Sequence, residues 1–162
     1  MGYGVQNFAI YDLMIRENLF DNIQSVVDMG SQELHFAERD TTSHEYKECI
    51  RQTIKSAGGP DIDDIQLNKL ANRSSAGEFW KILGKEYKAL DSDGWYGKPF
   101  DFNLDQVEEK DKLANCFVVN GGTTEHLFDQ ANAFRIAHDL TKKDGLMLHQ
   151  LPFLGCIDHG FF

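Results

Sequence analysis

No stretch of this sequence approaches the roughly 18 consecutive apolar residues that a membrane-crossing helix needs, so no membrane partner is expected. Cysteine is scarce. Cys49, Cys116 and Cys156 are odd in number, widely spaced and without a CxxC pair, which argues against a disulfide framework or a thiolate metal site. Reduced thiols in a cytoplasmic protein are the expectation, and the start at Met1–Asn7 carries neither the basic residues nor the apolar stretch of a secretory signal. Positive charge is also short: 16 Lys and Arg face 26 Asp and Glu, for a net charge of −10. Such a surface repels phosphate backbones, and no basic stripe interrupts it, so a nucleic-acid partner is not expected. The dinucleotide fingerprint GxGxxG is missing, as are internal repeats and low-complexity segments.

What remains is an ordinary globular composition over 162 residues, a length that suits one domain spanning 1–162. The hydrophobic pattern alternates between two periods. A helical spacing over residues 8–19, with Asn7 as its N-cap, precedes a β-branched run at 23–29 that ends on Gly30. Helices are expected over about 43–55, 61–71 and 76–83, the last with Phe79, Trp80 and Leu83 as a packing face. Further strands are expected at 87–90, around 99–102, at 115–119 and at 146–149. A helix over about 125–140 stands before the last strand, its apolar face formed by Leu127, Phe128, Ala131, Phe134 and Ala137 or His138. Strands alternating with helices, with glycine-bearing turns at strand ends, predict a parallel α/β sheet.

In open parallel sheets, ligands bind beyond the carboxyl ends of the strands. Here those ends carry Asp28, Asp91, Asp101 and Asn120. Gly30 lets the backbone approach a ligand, and the N–H groups from Ser31 onward can meet its polar atoms. Asp91, or its neighbour Asp93, is placed to accept hydrogen bonds from both hydroxyls of a ribose. Asp101 suits an exocyclic adenine amine. After Asn120 and Gly121, Thr123 or Thr124 is expected to cap the next helix. Glu125 and His126 then fall in its first turn, as candidate general bases.

Four segments carry a more specific signal: VVDMGSQ (26–32), ALDSDGWYGKPFDFN (89–103), NGGTTEHLFDQ (120–130) and HDLTKKDGLMLHQLP (138–152), with DHGFF at the end. In this order they resemble class I S-adenosylmethionine (SAM)-dependent methyltransferase-like proteins. The resemblance implies a Rossmann-like three-layer α/β/α fold with a mostly parallel sheet, SAM as cofactor, and methyl transfer to a small polar acceptor. It puts Asp28, Gly30 and Ser31 near the methionine part of SAM, Asp91 on the ribose, Asp101 near adenine, and Asn120 facing the cofactor.

The sequence also departs from that family. Ser31-Gln32 replaces part of the glycine-rich first loop, and Cys116 stands where an Asp is more common. Some 60 residues separate Asp28 from Asp91, against about 20 in a plain Rossmann half, which implies a helical insertion at about 37–80 after the first strand. The family's C-terminal β-hairpin is missing, so either the chain is truncated after its fifth strand, or another chain, a second copy or a repositioned segment covers the open edge; truncation or pairing is the expectation. A non-catalytic interaction module is the alternative reading, and a nicotinamide-dependent oxidoreductase a third that the absent GxGxxG disfavours. His126, His138, His149 and His159, with Glu125 and Asp158, lack metal-ligand spacing, so no metal is expected.

Overall fold

The computed structural model describes residues 2–34 and 43–151. In chain order its elements are β1 (Gly2–Tyr3), α1 (Val5–Arg16), β2 (Ser25–Met29), β3 (Glu33–Leu34), α2 (Ser43–Ser56), α3 (Asp64–Ala71), α4 (Ala76–Ile82), β4 (Glu86–Asp91), β5 (Lys98–Pro99), β6 (Cys116–Gly121), α5 (Gln130–Thr141) and β7 (Leu146–Gln150). Two short 3-10 turns, Glu109–Asp111 and Thr124–His126, interrupt the later loops. The chain forms two compact units, Met1–Asn22 with Gln32–Glu86, and Ile23–Ser31 with Tyr87–Phe162.

The first unit is helical around an aromatic core. Tyr3, Phe8, Tyr11, Phe79 and Trp80 are fully buried and meet largely edge to face, while Phe20 stacks on Trp80 at 5.8 Å. Two hydrogen bonds run inside the cluster: Trp80 Nε1 donates to Tyr3 Oη (3.3 Å), and Tyr46 Oη to the Tyr3 carbonyl (2.8 Å). Phe79 and Trp80 are therefore packing residues, as their spacing predicts. Asn7 is not the N-cap of α1. That position belongs to Gly4, and Asn7 sits one turn in, accepting the Gly4 N–H at 2.9 Å. Asp63 caps α3 through a reciprocal pair with Gln66 (2.7 and 3.1 Å), which starts that helix later than 61.

The second unit holds the sheet that matters for function. It is α/β, Rossmann-like, with five parallel strands ordered β5-β4-β2-β6-β7. Every residue of β2 and the first five of β6 are buried, as fully covered parallel strands require. Val27, Met29, Leu90, Phe100 and Val118 form one face's core with Ala133, Ile136, Ala137 and Leu140 of α5.

The expected helix over 125–140 is two pieces. Residues 124–126 form a 3-10 turn, and α5 starts only at Gln130, capped by Asp129, whose Oδ1 accepts the Asn132 N–H at 2.8 Å. The side-chain oxygen of Asn103 accepts both the Phe128 and Asp129 N–H groups at 3.0 Å, which holds the intervening chain out of helix. The restart rotates the buried face, so Phe128 and Phe134 stay 81 % and 40 % exposed. His138, expected to face inward, is exposed on the opposite side.

Among the described residues, no helix is long and apolar enough to cross a membrane. Cys49 and Cys116 are free thiols. Cys156, Asp158, His159 and the DHGFF end lie outside the described residues, as does the start of the expected insertion up to residue 42.

Candidate functional site

Counted along the chain, the five strands of the sheet stand in the order third, second, first, fourth, fifth. The order therefore reverses between β2 and β6, and that reversal is where open α/β sheets form a crevice at their carboxyl ends. The residues at this point are Asp28 and Gly30 on one strand, and Asn120 and Gly121 on the other.

Asp28 is completely buried, and its Oδ2 accepts a hydrogen bond from Tyr87 Oη at 2.7 Å. A carboxylate enclosed in this way is tolerable only with donors aimed at it. Tyr87 stands near the start of β4, four residues before Asp91, and no local motif marks it. Beyond Asp28 the chain turns at Gly30, whose φ of 81° is a left-handed conformation that a residue with a Cβ adopts only with strain. The Gly30 N–H donates to the Leu90 carbonyl at 2.7 Å.

The turn delivers Ser31 to the end of β4. Its N–H donates to Asp91 Oδ2 and its hydroxyl to the Trp95 carbonyl. Asp91 is thus half-buried at the strand end, with one oxygen engaged. The other, Oδ1, has only long contacts, to Ser92 Oγ at 3.4 Å and to the Asp93 N–H at 3.5 Å. Asp93 and Asp101 are exposed and serve their own turns: Asp93 Oδ1 accepts the Trp95 N–H (2.7 Å), and Asp101 Oδ1 accepts the Asn103 N–H (2.9 Å). The loop from β4 to β5 also presents Trp95 stacked on Tyr96 at 4.7 Å, both about half exposed.

At the end of β6, Asn120 is fully buried and Gly121 half-buried. Asn120 Nδ2 donates to Thr124 Oγ1 (3.0 Å) and to His149 Nδ1 (3.1 Å), while its Oδ1 is buried without a partner among the described residues. Thr123 caps no helix. Its hydroxyl donates to the Met29 carbonyl at 2.5 Å and ties this loop to the end of β2. Glu125 is 1 % exposed and its neighbour His126 43 %, with His126 Nε2 4.0 Å from Glu125 Oε1. Between these two candidate bases, only His126 presents its side chain to solvent.

The structure therefore gathers Asp28, Gly30, Ser31, Asp91, Asn120 and Gly121 on the adjacent ends of β2, β4 and β6. Asp93 and Asp101 stay in separate exposed turns. His149 enters the set through Asn120: the two are register partners on β6 and β7. Burial of its ring lowers the His149 pKa below the ordinary 6.5. Among the described residues, no group of three or more His, Cys, Asp or Glu side chains is arranged to hold a metal ion. The arrangement is mostly of hydrogen-bond acceptors, suited to a ligand rich in hydroxyl and amine donors.

No family model, no curated protein and no solved structure matches the chain.

Proposed function

We propose that the chain binds S-adenosylmethionine at the carboxyl end of its parallel sheet and transfers the methyl group to a small polar acceptor. The observation that carries this reading is the turn at Gly30, next to the reversal of strand order, which brings Ser31 onto Asp91 at the end of the neighbouring strand β4. A positive-φ glycine ends the first strand, and a carboxylate ends the next with one oxygen held by the Ser31 N–H and the other in only long contacts. A ribose diol fits the second oxygen, since a carboxylate accepts from two hydroxyls at once. The cofactor supplies a methyl group already activated by the sulfonium, so the chain's part is alignment. In this reading Asp28, Gly30 and Ser31 lie along the methionine part, Asp101 near the adenine, and Asn120 and Gly121 face the ligand from β6. His126 takes the acceptor's proton, and the buried Glu125 beside it holds the imidazolium that results.

Calorimetric titration with S-adenosylhomocysteine tests the proposal. The expected result is micromolar binding that Asp91→Ala abolishes in a chain that stays folded. A folded wild type that takes up no ligand would refute it.

One observation favours a second reading, that of a non-catalytic interaction module. The first loop spends its donors internally, with the Ser31 N–H on Asp91 and the Ser31 hydroxyl on the Trp95 carbonyl. A chain that has given up its cofactor would close its loop in this way. The same titration separates the two readings.

A further inference from the structure

Asn120 is a fully buried side chain at the strand ends whose hydrogen bonding fixes the chemistry of an exposed neighbour. Its amide has two possible orientations, and they are not equivalent. With Nδ2 toward Thr124 Oγ1 and His149 Nδ1, both of its N–H groups are used, at 3.0 and 3.1 Å, and among the described residues a single enclosed acceptor, Oδ1, is left over. Turned over, the amide would place Oδ1 on those two partners and strand two N–H donors in the same enclosed space. An unmet buried donor or acceptor costs on the order of 1–3 kcal/mol, so one orphan is preferred to two.

The preferred orientation dictates the state of His149. A nitrogen that accepts from Asn120 carries no proton of its own, so the neutral ring must hold its proton on Nε2. The ring is also fixed in place, since it packs on Phe134 of α5 with centroids 5.0 Å apart. The residue remains exposed. Among the described residues, the contacts shown for the ring are to Asn120 from β6 and Phe134 from α5, neither of them charged.

We propose that Asn120 is a positioning residue that locks His149 as its Nε2–H tautomer, making His149 a directional donor for an oxygen of the acceptor substrate. This rests on the reading of the strand ends as a ligand site, and it narrows the acceptor class. Asp28, Asp91, Glu125 and Asn120 Oδ1 all accept hydrogen bonds, whereas His149 Nε2–H gives one. An acceptor substrate that carries a carboxylate or carbonyl oxygen satisfies it, and one that presents only an ammonium group does not.

Imidazole nitrogen NMR on the whole chain, without ligand, reads the tautomer directly. The expected spectrum has a protonated Nε2 and an unprotonated Nδ1 on His149. Asn120→Asp replaces the donor by a pure acceptor and should move the proton to Nδ1. Thr124→Val, milder to the core, should release the amide and give a mixed tautomer. A wild-type His149 protonated on Nδ1, or a tautomer indifferent to both variants, would overturn the proposal. With S-adenosylhomocysteine present, acetate should shift the His149 ring signals and methylammonium should not. Equal responses, or none to acetate, would overturn the assigned acceptor class. Homocysteine-cofactor binding is scored separately by calorimetry, so failure of the SAM reading and failure of the tautomer lock give different results.

Discussion

Asp111 shows most simply how a single side chain holds the second unit together. Its carboxylate is fully enclosed, yet its cover is thin: Lys88 and Lys98, whose ammonium groups lie 3.3 and 2.6 Å from Oδ1, are themselves 23 % and 35 % exposed. Burial alone would raise its pKa. Hydrogen bonds from Lys98, the Glu108 N–H and Lys88 outweigh that and hold it below the ordinary 3.8. A carboxyl with a depressed folded pKa contributes stability that is fully present above its unfolded value and is lost as the pH falls through the folded one. Asp111→Ala removes the carboxylate that both lysines share, leaving Lys88 its bond to the Lys110 carbonyl, and should cost about 2 kcal/mol in urea unfolding at pH 7. Its stability should also fall less steeply than that of the wild type as the pH drops below about 4. Nothing in the sequence marks Asp111, because its partners come from β4 and β5, 23 and 13 residues away. Asp28, Asp91 and Asn120 were legible for the opposite reason, since each is a polar residue directly ending an apolar strand. Tyr87 and His149 were not legible as site residues, as both sit inside strands and join the site only through cross-strand pairing.

At the scale of elements, β2 and β6 are written in apolar runs with β-branched residues, and all five strands of the sheet fall within a few residues of their expected places. The error lies where two signals compete. The stretch 125–140 has a helical period, but Asp129 is itself a favoured N-cap residue, and Asn103 reinforces the break from a distant loop. Asp129→Ala should lower stability by about 1 kcal/mol through loss of the cap, measured as a lower thermal midpoint with unchanged strand content. The turn between β4 and β5 is equally constrained. A Cβ on Gly97 would collide with the Ala89 carbonyl oxygen, so backbone has to move. Gly97→Ala should therefore destabilise the chain by about 2 kcal/mol, the range for overpacked sites. It should also weaken S-adenosylhomocysteine binding more than Asp129→Ala does, because the same turn carries Trp95 and its bond to Ser31.

At the scale of the molecule, the class of fold was readable and the strand order was not. Alternating periods predict a parallel sheet, whereas the order β5-β4-β2-β6-β7 follows from pairings that a linear pattern does not encode. That order is what turns scattered polar strand ends into one location, with Asp28 and Asn120 on neighbouring strands at the reversal. The two compact units divide the work of stabilisation: aromatic packing in the first, and the sheet with α5 in the second. The central claim concerns the second unit and has a direct test. Titrating the intact chain with S-adenosylhomocysteine should give saturable micromolar binding at one site per chain, lost in Asp91→Ala with circular dichroism unchanged. Saturable binding that survives Asp91→Ala, or none in a folded wild type, would contradict the account.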